Sequence, residues 1–432
     1  MSMRRSAICT VFLLFLAVAS SAQSAIIADA SRMESRIRAL SKVGLNANGG
    51  SDRVAFSDHD KRGREYIIGL MKSAGLSVSV DFAGNIIGRR KGRSDELPPI
   101  MFGSHIDTVP NGGAYDGCVG VIGALEVIDL LNENKIETQH PLEVVVFVDE
   151  EGGLTGSRAL IGDLGDEALR VKSQSGKTIG EGISFLGGDP DRLSEMVRKE
   201  GDIAAFIELH IEQGGTLEST STNIGVVEGI VGIEWWEVTI EGFSNHAGTT
   251  PMKGRRDAVI AGSMFALMVN KVVNSYSGSQ VGTVGRFYAE PGAPNVIPGK
   301  VTLSLELRDL SAEKIFRMYS AIEKRAIEIE GETGTDITFR HLDVSALPAL
   351  TDERIKTAIE ASAEGLGLSY KRTPSGAGHD AQDLAKIAPT GMIFVPSKGG
   401  ISHSPDEYTS AQDMANGASV LLRTVLAIDG KE

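Results

Sequence analysis

The stretch Leu142-Glu143-Val144-Val145-Val146-Phe147-Val148 runs without a break into Asp149-Glu150-Glu151-Gly152. The β-branched run predicts a buried strand. Three acids at the end of such a strand repel one another and lose hydration. A cluster of that kind is tolerated where a cation is bound or where one acid keeps its proton. Adjacent glutamates suit a division of labour, one coordinating a metal and the other facing the metal-activated water as general base. On this segment alone, a solvated acidic turn explains the pattern equally well.

Around that strand, short apolar runs alternate with helical stretches. Apolar residues at three- and four-residue spacing predict helices over 27–44 and 61–75. Strands are expected at 76–80 and 99–103, with a helix over 120–131. Strand, helix, strand in this order implies a largely parallel sheet with crossover helices. Near residue 226 the pattern changes to alternating strands, 233–240 and 300–309, with a helix over 257–273 and a strand near 282–288 between them. A helix over 312–331 and a strand over 336–342 complete a strand–helix–strand–strand–helix–strand order, which is ferredoxin-like. Helix–strand alternation resumes at 352–365 and 391–396. The expected fold class is therefore α/β, a mostly parallel-sheet domain in two parts (23–225 and 347–432) with an inserted ferredoxin-like α+β domain (226–346).

The first 22 residues stand apart. Arg4 and Arg5 precede an apolar run, Ala7 to Ala19, and then small residues, the pattern of a secretory signal peptide cleaved before Gln23. The mature protein is thus expected to be exported, periplasmic or secreted, with no later apolar run of membrane-spanning length. Of two cysteines, Cys9 leaves with the leader, so Cys118 has no internal partner and is expected to be a small packed residue. With 43 Lys+Arg against 57 Asp+Glu, the net charge of -14 argues against nucleic acid or an anionic membrane as the main partner.

Eight histidines are available, at 59, 105, 140, 210, 246, 341, 379 and 403. A lone histidine is more often structural than a ligand, so context must separate them. His105 ends the strand in Phe102-Gly103-Ser104-His105-Ile106-Asp107, and ligands of open α/β sheets gather at strand C-termini. Asp107 points the same way if the chain stays extended, and can take the second imidazole proton. Asp116 lies ahead of a helix, where capping is the alternative role. His210 ends an apolar run, Phe206-Ile207-Glu208-Leu209-His210, and His403 follows the last strand in Ser402-His403-Ser404-Pro405-Asp406-Glu407. Together His105, Asp116, Glu151, His210 and His403 are three imidazoles and two carboxylates. That mixture suits zinc, manganese or cobalt, a carboxylate bridging two ions about 3.5–4 Å apart. In the inserted domain, alternation puts Arg308 on the polar face of its strand, suited to grip a carboxylate or to pair with Glu306 or Asp309. Lys253, Arg255 and Arg256 could form a positive mouth or a solvated basic turn.

The segments GSHIDTV, YDG, DEEG, ELHIEQG, NHAGTTPM, PNVIPG, ELRD, GAGHDA and SHSPDE occur in this order from about residue 30 to the C-terminus. This set resembles the amidohydrolase branch of the dinuclear-metal aminoacylase/carboxypeptidase superfamily, which includes N-carbamoyl-L-amino-acid hydrolase, allantoate amidohydrolase and ureidoglycolate amidohydrolase. The resemblance implies two divalent ions per subunit (Zn, Mn or Co). His105 and His210 would bind one, Glu151 and His403 the other, with Asp116 as the bridge. It further implies Glu150 as general base and a homodimer in which the partner's copy of His246 completes the site through the inserted dimerisation (lid) domain. Asn295 and Arg308 match the pair that grips a substrate carboxylate. Gln213 and His379 are implied close to substrate, and Asp107 supports a ligand.

The expected activity is cleavage of the carbamoyl C–N bond of an N-carbamoyl-L-amino acid or related small anionic ureido acid. Allantoate or ureidoglycolate hydrolysis, an aminoacylase- or dipeptidase-like activity, and a non-catalytic exported binding protein are the alternatives. Relatives are mostly cytosolic, so the leader is a departure that points to scavenging outside the cytoplasm.

Overall fold

A computed structural model describes residues 26–430, so the expected leader at 1–22 and Cys9 lie outside the described residues. The larger sheet has nine strands: β1 (Ser77–Val80), β2 (Ile86–Arg90), β3 (Ile100–His105), β4 (Leu142–Phe147), β5 (Ala205–Ile211), β6 (Ile224–Ile230), β11 (Ala349–Leu350), β12 (Tyr370–Ser375) and β13 (Thr390–Val395). Its order is β1-β2-β4-β3-β5-β13-β6-β11, with β12 also on β6. The centre, β4-β3-β5-β13, is parallel throughout. Antiparallel β2 and β6 flank it, so the expected parallel order holds at the centre and gives way at the edges.

All residues of the four central strands are buried, as covered parallel strands require. One face packs on helices Ala30–Ser41, Cys118–Glu133 and Ala411–Ile428, whose Leu40, Ile122, Val127, Leu421 and Val425 join Phe102, Val144 and Ile207. The helix Cys118–Glu133 is apolar nearly all round because it lies between the sheet and two other helices. Cys118 is buried in its first turn, as expected.

The second sheet joins β7 (Gly232–Glu241), β8 (Val281–Glu290), β9 (Lys300–Asp309) and β10 (Asp336–Ala346) in the order β10-β7-β9-β8, every pair antiparallel. This is the arrangement a βαββαβ chain makes, and the ferredoxin-like expectation stands. On β9 the inward Val301, Leu303, Leu305 and Leu307 are fully buried beneath helices Ala258–Asn274 and Ala312–Thr333. Burying each such side chain contributes about 1.5–3 kcal/mol. The expected change of fold at residue 226 needs correcting. Val226 and Val227 belong to β6, which pairs with β12 and β13 in the larger sheet. The chain changes sheet only at Val231, because β6 is itself a buried apolar strand and the period-2 alternation starts with β7.

Candidate metal centre

Four adjacent parallel strands deliver their C-terminal ends to one place. His105 ends β3, His210 is the penultimate residue of β5, Glu150 and Glu151 follow β4, and His403 comes from the loop after β13. Asp116 enters from the loop between β3 and the helix Cys118–Glu133. It is not the cap of that helix. Gly117 takes that position with φ +62, and a Cβ there would overlap the His105 ring.

Asp116 divides its oxygens. Oδ1 lies 3.5 Å from His105 Nε2 and 3.2 Å from His210 Nε2. Oδ2 lies 3.5 Å from His403 Nε2, which is 3.4 Å from Glu151 Oε1. Two ligand triads therefore share one carboxylate, His105–Asp116–His210 and Asp116–Glu151–His403. The backbone fixes the tautomers of the two buried imidazoles. His105 Nδ1 donates to the Asp107 carbonyl at 3.1 Å, and His210 Nδ1 donates to the Ile211 carbonyl at 2.9 Å. Each ring turns its bare Nε2 inward, and that of His105 is buried with no hydrogen-bond partner. An orphaned imidazole nitrogen beside a mixed nitrogen and oxygen donor set fits a borderline divalent cation.

The carboxylates and imidazoles also interact electrostatically. Burial pushes Asp116 up, yet the imidazoles of His210, His105 and His403 outweigh it and hold the carboxyl well below its ordinary range. Burial pushes Glu150 well above its ordinary value, and Glu151 up to about 7. His403 is raised to about 9, first by its contact with Asp116. Glu150 Oε2 stands 3.5 Å from His105 Nε2, at the edge of the first triad. Three non-glycine residues here, Asp149, Gln213 and His403, hold left-handed backbone at φ +56, +56 and +54. Such conformations cost about 1–3 kcal/mol each and cluster where function demands them.

Several expected roles change. Asp107 supports His105 through its main-chain carbonyl, since its carboxylate is 3.7 Å from Nδ1. That carboxylate instead accepts the backbone N–H groups of Glu150 and Glu151, at 3.4 and 3.1 Å. Gln213 donates through Nε2 to Asp116 Oδ2 at 2.7 Å, so in this chain it steadies the shared carboxylate. His379 is fully buried behind His210, edge-on at 4.5 Å, with Nε2 on the Ser375 hydroxyl at 2.9 Å. Sealed there, it has no surface for a substrate.

The inserted domain's candidates do not join the cluster. Among the described residues no hydrogen bond or ion pair links His246 or Asn295 to it. They neighbour each other instead, through an isolated bridge between His246 and Val296. Exposed His246 accepts the N–H groups of Gly248 and Thr249 at Nδ1, 3.0 and 3.1 Å away, so its proton sits on Nε2 as an outward donor. Arg308 forks onto Glu306 at 2.8 and 3.1 Å and reaches the Gly376 carbonyl at 2.7 Å. The salt bridge weighed from sequence is thus present, and the same side chain contacts the GAGHDA loop. Arg255 clamps the carbonyls of Ala247 and Thr250, and Arg256 pairs with Asp336, so neither arginine forms a positive mouth. Glu407 supports the centre, and sequence reasoning missed it; its only signal was its place four residues beyond His403.

The family model for peptidase family M20/M25/M40 matches residues 101–427. An N-carbamoyl-L-amino acid amidohydrolase of Geobacillus stearothermophilus is 42% identical over 91% of this chain and 97% of its own length. A ureidoglycolate hydrolase of Oryza sativa subsp. japonica is 39% identical over 85% of this chain and 78% of its own. The crystal structure of an amidase of the hydantoinase/carbamoylase family from Burkholderia multivorans superposes with a TM-score of 0.88 at 36% identity, covering 94% of this chain and 99% of that one.

Proposed function

The chain belongs to peptidase family M20/M25/M40, and from that membership we propose that it is a metal-dependent amidohydrolase cleaving the carbamoyl C–N bond of an N-carbamoyl-L-amino acid. The observation that carries this reading is Asp116, whose two oxygens each face a separate ligand triad beside Glu150. His105 and His210 would hold one divalent ion and Glu151 and His403 the other. Zinc, manganese or cobalt bound there would supply Lewis acidity and lower the pKa of a water.

Glu150 takes the proton of the attacking water as it adds to the carbonyl carbon, then returns it to the departing amino nitrogen. Water and the ureido acid become the free amino acid and a carbamate, which breaks down to carbon dioxide and ammonia. His246, with its proton on Nε2, is a ready donor to the oxyanion. Asn295 and Arg308 hold the substrate carboxylate; Arg308 exchanges its fork on Glu306 for the substrate.

Within one chain His246 lies apart from the triads, which supports a homodimer whose partner supplies it. An interface is available. β8 is an edge strand with exposed Val281 and Tyr288, beside exposed Ile260 and Leu267 of the helix Ala258–Asn274. Unpaired edges bordered by apolar side chains favour pairing with another copy. The leader at 1–22 directs export, and the insert serves as the dimerising lid.

A panel of N-carbamoyl, allantoate, ureidoglycolate, N-acyl and dipeptide substrates on metal-reconstituted protein tests the reaction. Turnover of N-carbamoyl-L-amino acids, abolished by chelation and restored by zinc, manganese or cobalt, is expected. Turnover of dipeptides alone would overturn it. Turnover of ureidoglycolate alone would move the assignment to that substrate. Mixed dimers of His246→Ala and Glu150→Gln chains should recover activity that neither variant shows alone; no recovery would refute a shared site.

A further inference from the structure

We propose that Glu407 and Ser402 are positioning residues that lock the two ligand-bearing loops together and thereby set the affinity of the second cation site, Asp116–Glu151–His403. The proposal rests on the two-cation reading above. Glu407 is 4% exposed, although it sits on a loop where water is close at hand. A carboxylate is seldom buried without partners that satisfy it. Its Oε1 accepts the backbone N–H groups of Tyr115 and Asp116, at 2.8 and 3.0 Å. Its Oε2 lies 2.8 Å from the Ser402 hydroxyl, whose single proton is shared between that oxygen and Asp116 Oδ2, also 2.8 Å away. Gly113 gives it room, since a Cβ there would overlap the Glu407 carboxylate. Glu407 belongs to neither ligand triad. It spends its acceptor capacity on the main chain of one ligand and on the residue next to another.

The two triads need this latch unequally. His105 and His210 are held by β3 and β5, and their rings are fixed by main-chain carbonyls. His403 has neither support. It is half-exposed and left-handed, on the loop between β13 and the helix Ala411–Ile428. Ser402, its immediate neighbour, joins that loop to the Asp116 carboxylate, 286 residues away in sequence, as Glu407 joins it to the Asp116 backbone. The contact falls on Oδ2, the oxygen that faces His403, and not on Oδ1, which faces the strand-held imidazoles. Losing the latch therefore loosens the second triad and leaves the first in place.

Metal-free wild type, Glu407→Gln, Ser402→Ala and Ser402→Thr would be titrated with cobalt(II), following visible absorption and bound metal per chain. Wild type should bind two equivalents. Glu407→Gln and Ser402→Ala should keep the first affinity and weaken the second by about 10–100-fold, the usual cost of losing a ligand's support. Ser402→Thr, which restores the hydroxyl, should recover it. Unchanged binding of both equivalents in Glu407→Gln and Ser402→Ala would overturn the latch, as would equal weakening of both sites. Should Glu407→Gln fail to fold, Ser402→Ala alone carries the test. A wild type that binds fewer than two equivalents would instead overturn the two-cation reading, and the latch with it.

Discussion

The two sheets of this protein handle polar groups in opposite ways. In the larger sheet the strand tips bring acids and imidazoles into the interior: His105, His210, Asp116, Glu150 and Asp107 are all nearly or fully buried. In the smaller sheet the buried face of β9 is apolar from Val301 to Leu307, its one buried acid, Asp309 at the strand's end, is paired with Lys314, and the polar candidates His246 and Asn295 sit on exposed loops. Buried charges are costly unless compensated. The difference separates a region that gives up stability for chemistry from a region that is built on its own apolar core and presents donors from its surface.

Three measurements would break or sharpen that contrast. The largest effect is expected from Glu150→Gln, which should lower kcat by about 10²–10⁴-fold while bound metal and thermal stability stay close to wild type. Near-normal turnover would remove the chemistry from the larger sheet's tips. Next, Leu303→Ala empties part of the small sheet's core and should cost about 2–5 kcal/mol in urea unfolding. Metal bound per folded chain should not change; parallel loss of metal would show that the two regions are one cooperative unit. The smallest effect concerns pH. Burial raises Asp60 and Asp81, both in the larger region, to about 6. The unfolded chain titrates aspartate near about 3.9. The folded state thus holds these protons longer, and the stability they lend is full below about pH 4 and lost as pH rises through about 6. Metal-free protein should show a falling urea midpoint across that window. In Asp60→Asn the fall should shrink, and an unchanged profile would remove Asp60 from the account.

How much of this was legible in the sequence follows from the same contrast. Period-2 alternation in 233–240 and 300–309 carried the small sheet directly, down to the inward set Val301, Leu303, Leu305 and Leu307. Of the five cage residues, His105, His210 and Glu151 were legible because apolar runs ended in His or acid at a strand tip, whereas Asp116 and His403, both on loops, were legible through the motifs that carry the resemblance. What escaped depends on main-chain turns that no side-chain pattern encodes. Asp107 gives its carboxylate to the Glu150–Glu151 amides because its main-chain carbonyl already takes the imidazole proton. Gln213 faces the shared carboxylate because its backbone is left-handed. His379 is sealed because it packs under His210. Glu407 looked like one more acid in a polar loop, since its partners are amides nearly 300 positions away. β6 was misplaced because a buried strand and the start of a domain insert look alike until the alternation begins.

The five cage residues enter the chain at positions 105, 116, 151, 210 and 403, and that spacing dictates an order of assembly. A growing chain has its first triad once residue 210 is made. The second cannot close until His403 and its neighbours Ser402 and Glu407, far down the chain, swing in beside Asp116. Catalytic competence therefore trails the first triad, and any fragment that stops before Ser402 is limited to a half-built centre.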